Sequence, residues 1–74
     1  MSPAQLSLIL RCIAEDYVEV GYINSVNPRT AEALVEAGLL VHDWPPGYQG
    51  PVRRSYVRLV RRHELLLFEE NENG

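Results

Sequence analysis

The chain has 74 residues, of which 46% are apolar, and a net charge of −3 at pH 7. That length makes one small domain, and the apolar content excludes wholesale disorder. A single cysteine, Cys12, excludes an intramolecular disulfide framework. The longest apolar runs, such as LLLF at 65–68, fall far below the roughly 20 residues that span a bilayer, and the opening MSPAQLSLILRCIAEDY lacks the basic stretch and cleavage pattern of a signal peptide. A cytoplasmic protein with no membrane partner is expected. A chain this short buries only about 60% of its unfolded surface, so a partner subunit would help it, and a homodimer is one candidate.

The first predicted element is a helix over residues 3–16. Ser2 can cap it, Gln5 can reach back to Ser2, and Pro3 sits where its missing N–H costs nothing. Leu6, Ile9, Leu10, Ile13 and Tyr17 recur at helical spacing and are expected to face the core, with Leu8 and Cys12 on a flank. Residues 17–23, YVEVGYI, are β-branched and aromatic and read as a short strand, followed by a turn at Asn24-Ser25-Val26. Asn27 then caps a second helix from Pro28, with Ala31, Leu34 and Val35 inward. Gly38 is its left-handed terminator, and Leu39 is placed to pack on Leu34.

Residues 39–44 and 52–60 read as the two strands of a long hairpin, joined by PPGYQGP, a loop by composition. A helix over 61–68 would set arginines at its positive end and glutamates at its negative end, against the helix dipole. A third strand over 65–68, after a turn at 62–64, is expected instead. The domain is taken as residues 1–70, with 71–74 as a frayed tail.

Charge is unevenly spread. The run RRSYVRLVRRH at 53–63 holds five of the seven arginines, so the other two stand against ten acids and the rest of the chain carries −8. On the strand over 52–60, alternation puts Arg54, Tyr56 and Arg58 on the outer face and Val57 and Leu59 on the core face. Arginine forks around an aromatic ring suit phosphate. The ordinary alternative is a solvated strand face whose arginines pair with Glu19, Glu69 and Glu70.

The order helix, short strand, helix, hairpin is that of a small α+β protein. The run NPRTAEALVEAGLLVHD followed by SYVRLV resembles the second half of a winged helix-turn-helix domain, where a helix ends in a Gly-Leu-Leu turn and passes into the wing. The resemblance covers residues 3–60, but only YVEVGYINSV is available for the family's middle helix, so a reduced form is expected: two helices, a short strand and a hairpin wing. It implies a regulator of transcription bound to double-stranded DNA, with residues 28–37 toward the major groove and the wing along the backbone or minor groove. The nucleic-acid candidates are then Arg29, Thr30, Arg53, Arg54, Tyr56 and Arg58.

Glu32 and Glu36 on the exposed face of that helix repel phosphate. They support an alternative on the same scaffold, a protein-docking module such as a phage or mobile-element protein acting on a host complex, with Glu32, Glu36, Trp44 and Tyr48 as its surface. Trp44 and Tyr48 could equally fold over the core. His42, His63 and Cys12 have no ligand spacing that implies a metal. Nothing implies a cofactor, and no nucleophile-base set argues for an enzyme. A binding protein is expected, with DNA or a host protein as its partner.

Overall fold

Each helix begins where a side chain can satisfy its free N–H groups. In the computed structural model of the protein, which describes residues 1–64, α1 spans Pro3–Glu15. Ser2 Oγ accepts from the Gln5 N–H at 3.1 Å, and Gln5 Oε1 accepts from the Ser2 N–H at 2.9 Å. This reciprocal cap is the one the sequence predicts. The second helix, α2, spans Pro28–Glu36, with Asn27 Oδ1 accepting from the Arg29 N–H at 2.9 Å. It stops as expected at Gly38, whose φ is 81°. The Gly38 N–H donates to Val35 O and the Leu39 N–H to Leu34 O, each at 3.0 Å. That pair of bonds is a Schellman stop. The side chain of Leu39 is 43% exposed.

Among the described residues, three short strands follow from the β-branched runs: β1 at Val18–Glu19, β2 at Leu40–His42 and β3 at Tyr56–Leu59. All pairing is antiparallel, in the order β1-β3-β2, with Val18 opposite Val57, Leu40 opposite Leu59 and His42 opposite Val57. The protein is therefore a small α+β domain, consistent with the winged-helix-like form expected, and the β2–β3 hairpin stands where that form has its wing. Its core gathers Leu8 and Cys12 from α1, Val18 from β1, Val26 from the segment before α2, Ala31 and Leu34 from α2, and Leu40 and Val57 from the hairpin. A 3-10 turn at Tyr22–Asn24 stands where the middle helix of the resembling family would be. The Arg11 guanidinium pins it to α1, with Nη1–H donating to Asn24 O at 2.6 Å.

The structure corrects four expectations. In α1 the buried residues are Leu8 and Cys12, the expected flank, whereas Leu6, Leu10 and Ile13 are 51%, 56% and 60% exposed. Apolar residues cover most of this helix's circumference, so periodicity alone cannot say which arc the small sheet covers. The strand read over 17–23 pairs only at Val18–Glu19, because the chain turns sharply at Gly21 (φ 153°), which exchanges both backbone bonds with Val26 at 2.9 Å. The strand read over 52–60 is paired only from Tyr56, since Pro51 and Val52 enter a turn. The turn at 62–64 is helical, with the Glu64 N–H donating to Arg61 O at 3.0 Å. The expected strand at 65–68 and tail at 71–74 lie outside the described residues.

Candidate nucleic-acid interface

The wing tip, residues 43–55, is built from two tight turns. In the first, the Tyr48 N–H donates to Pro45 O at 3.0 Å, and Gly47 supplies the positive φ (77°) that the third position requires. In the second, the Arg54 N–H donates to Pro51 O at 3.1 Å. Two aromatic side chains brace these turns. Trp44 Nε1–H donates to Arg54 O at 3.0 Å, and Tyr48 O–H donates to Pro51 O at 2.8 Å. The Tyr48 ring meets Tyr56 edge to face, with centroids 5.4 Å apart. Trp44 is 43% exposed, so it partly stays open. The bracing leaves Val52, Arg53 and Arg54 on an outward turn, with Val52 81% exposed.

Arg58 behaves differently. Strand parity puts it on the outer face, as expected, but that face is not solvent. Arg58 is only 8% exposed. Its Nε–H donates to Asp43 at 2.7 Å, and Nη1 and Nη2 donate to the two oxygens of Glu64 at 2.7 and 3.0 Å. Nη1–H also donates to Leu59 O at 3.1 Å. The hydrogen bonds from Arg58 and from the Arg61 N–H hold the Glu64 carboxyl down to about 2. Asp43 is lowered as well, first by its bond from Arg58 and then by the Trp44 N–H. Glu64 in turn raises Arg58, which stays charged at any ordinary pH. Arg58 fastens the base of the hairpin to the turn that follows it and spends four of its five N–H donors inside the fold.

The remaining candidates divide between two elements. Arg29 is exposed in the first turn of α2 and, among the described residues, its side chain makes no ion pair. The same is true of Arg53 and Arg54 on the wing. Thr30 is half-buried and lines a small hollow with Ala4, Ser7 and Leu8 of α1, away from Arg29. Tyr56 is half-buried too, and its O–H donates to Glu19 at 3.4 Å. Glu32 and Glu36 are both exposed.

One linkage joins the two elements. His42 Nε2 lies 3.3 Å from Glu32 Oε2 of α2, and its Nδ1 lies 3.2 Å from Ser55 Oγ, where the wing tip meets β3. With Nε2–H donating to the carboxylate, Nδ1 accepts the serine hydroxyl, and both ring nitrogens are satisfied. Sequence reasoning missed His42 and Ser55 because their meeting depends on the hairpin register. It missed the Asp43 and Glu64 partners of Arg58 for the same reason, although the spacing Arg61-x-x-Glu64 carries the reach-back signature of a helix start. Cys12 is buried in the core and its thiol is pushed up by that burial, which suits packing and not nucleophilic attack. Comparison with known protein families, with curated proteins and with solved structures finds no match.

Proposed function

We propose that the protein is a small, non-enzymatic DNA-binding regulator that grips duplex phosphates from α2 and from the wing tip at once. The observation that supports this most is the placement of Arg29, Arg53 and Arg54. All three are exposed and none is paired among the described residues. They stand on two elements tied together by the Glu32–His42–Ser55 chain. A guanidinium with its fork open to solvent can take a phosphate bidentately, and fixing the elements beforehand lowers the cost of ordering them on DNA. Arg58, Thr30 and Tyr56 act behind this surface by holding the wing, the α1–α2 junction and the Tyr48 brace.

Binding of labelled mixed-sequence duplex across a salt series tests the reading. Three neutralised phosphates predict a slope of log K against log salt of about −3. Absence of binding at low salt sinks it, and a slope near zero contradicts its electrostatic basis.

A second reading has its own observation. Trp44, Tyr48, Gly50 and Val52 line a shallow apolar hollow on the wing. Exposed aromatic and apolar side chains grouped in this way are what a protein partner seeks as an anchor site. Under this reading the protein docks on a partner protein through the hollow, with Glu32 and Glu36 contributing from α2. Its sign would be a partner recovered from the native host whose binding is lost with Trp44→Ala and is insensitive to Arg53→Ala.

A further inference from the structure

The wing carries a second hollow beside the apolar one. It holds about 260 Å³ and is lined from both arms of the hairpin. Half of its lining is already engaged within the fold. His42 meets Glu32 and Ser55 through its two ring nitrogens, Asp43 accepts from Arg58 and from the Trp44 N–H, and the Tyr56 O–H donates to Glu19. The other four lining residues, Trp44, Val52, Arg53 and Arg54, are exposed. The two arginines make no ion pair among the described residues. Trp44 and Val52 also line the apolar hollow, so the two hollows meet at them. What this second hollow offers a ligand is therefore a flat aromatic ring, one aliphatic side chain and two guanidinium groups.

Ring and cations sit on one braced unit. Trp44 Nε1–H is tied to Arg54 O at 3.0 Å, and the turn that carries Val52 and Arg53 is closed by the Arg54 N–H on Pro51 O at 3.1 Å. A fixed aromatic ring beside arginines is what holds single strands of nucleic acid, the ring stacking a base and the cations following the backbone. A paired base has both faces covered by its neighbours and shows only its edges in the grooves. To lie on an indole it must leave the stack. We propose that this hollow takes an unpaired nucleotide of a DNA strand, with the base on Trp44 and the adjacent phosphates on Arg53 and Arg54.

This site rests on the reading of Arg53 and Arg54 as phosphate contacts, and adds what the wing tip selects along the DNA. Size favours a single base: the hollow is slightly smaller than the roughly 300 Å³ at which pockets for whole small molecules begin. A strand is favoured over a free nucleotide, because a strand brings further phosphates and Arg29 on α2 is exposed to take one of them.

Trp44 is the only tryptophan in the chain, so its fluorescence reports on the site in the unaltered protein. The probes are a fully paired DNA duplex, the same duplex with one extra unpaired thymine, the same duplex with an abasic unit in place of that thymine, and thymidine monophosphate. The thymine-bulged duplex should bind about tenfold more tightly than the paired one, the worth of one stacked base, and should quench Trp44. The abasic duplex should bind like the paired one without that quenching, and the free nucleotide should bind most weakly. Equal affinity for the thymine and abasic bulges, or binding with no change in Trp44 emission, overturns the proposal and leaves the duplex reading standing. Binding of the free nucleotide as tightly as the bulged strand overturns it in favour of a small-molecule site. Failure of every probe to bind at low salt overturns both readings. Two variants separate stacking from bracing, since Trp44→Phe and Trp44→Leu both lose the bond to Arg54 but only the first keeps an aromatic face. The phenylalanine variant should retain most of the preference for the thymine bulge and the leucine variant should lose it. Equal loss in both assigns Trp44 to the brace alone and also overturns the proposal.

Discussion

The two ends of the wing hairpin spend the same residue type in opposite ways. At the base, Arg58 is enclosed and each arm of its guanidinium meets a carboxylate or a carbonyl. At the tip, Arg53 and Arg54 stand on an outward turn, held there by the Trp44 and Tyr48 hydrogen bonds to backbone. Arg53 and Arg58 are five positions apart in the sequence. What differs is what covers each position: Asp43 and the helical turn at 62–64 close over the base, and nothing among the described residues closes over the tip. A basic run in a sequence is thus a set of charges with separate fates, decided by which carboxylates the fold brings within reach.

The comparison breaks most readily at Arg58. Arg58→Ala leaves two carboxylates without their cation and should destabilise the fold by about 3 kcal/mol. That is the low end of the cost of breaking a buried ion pair, since Asp43 and Glu64 are partly exposed. Denaturant unfolding measures it. Arg58→Lys keeps the charge but loses the fork, and should fall between the wild type and the alanine variant.

Acid should act on the same clamp. Glu64, and Asp43 with it, titrate below their ordinary range when folded, so the unfolded chain takes up protons first as pH falls. The stability they supply is fully present above about 4.5, the ordinary value for Glu64, and is lost as pH falls toward about 2. Unfolding curves taken at steps through that window should show the decline, and Glu64→Gln should flatten it.

A smaller effect is expected at the brace. A Cβ at Gly50 would stand 2.6 Å from Tyr48 Cζ, so Gly50→Ala must displace the ring from Pro51 and from Tyr56. The cost should be about 1 kcal/mol, the worth of one hydrogen bond or one aromatic pair. It should appear as shifted ring resonances of Tyr48 and Tyr56. If those resonances hold still, the tip is not braced as described.

How much of this was legible beforehand depended on the range of the interaction. The Ser2–Gln5 cap, the Asn27 cap and the Gly38 stop are contacts within a few residues, and each could be read from neighbouring letters. The outer parity of Arg58 was legible for the same reason, since alternation is local. Its enclosure was not, because Asp43 and Glu64 reach it only after the hairpin pairs Val41 with Arg58 and the chain turns at 62–64. The buried arc of α1 was misread because Leu6, Leu8, Ile9, Leu10, Cys12 and Ile13 spread apolar side chains over more than half of it, and only the sheet's position selects Leu8 and Cys12. Arg11 looked like an off-stripe charge, yet it holds the carbonyl of Asn24, thirteen residues away.

The smallest expected change in stability carries the most direct test. Arg53→Ala combined with Arg54→Ala should leave the unfolding free energy within about 0.5 kcal/mol of the wild type, as at an open surface. The same variant should bind duplex DNA more weakly at low salt, and its salt slope should be shallower by about 2. Unchanged affinity and slope, or a loss of stability comparable to that of Arg58→Ala, would contradict the division of the hairpin into a clamped base and a gripping tip.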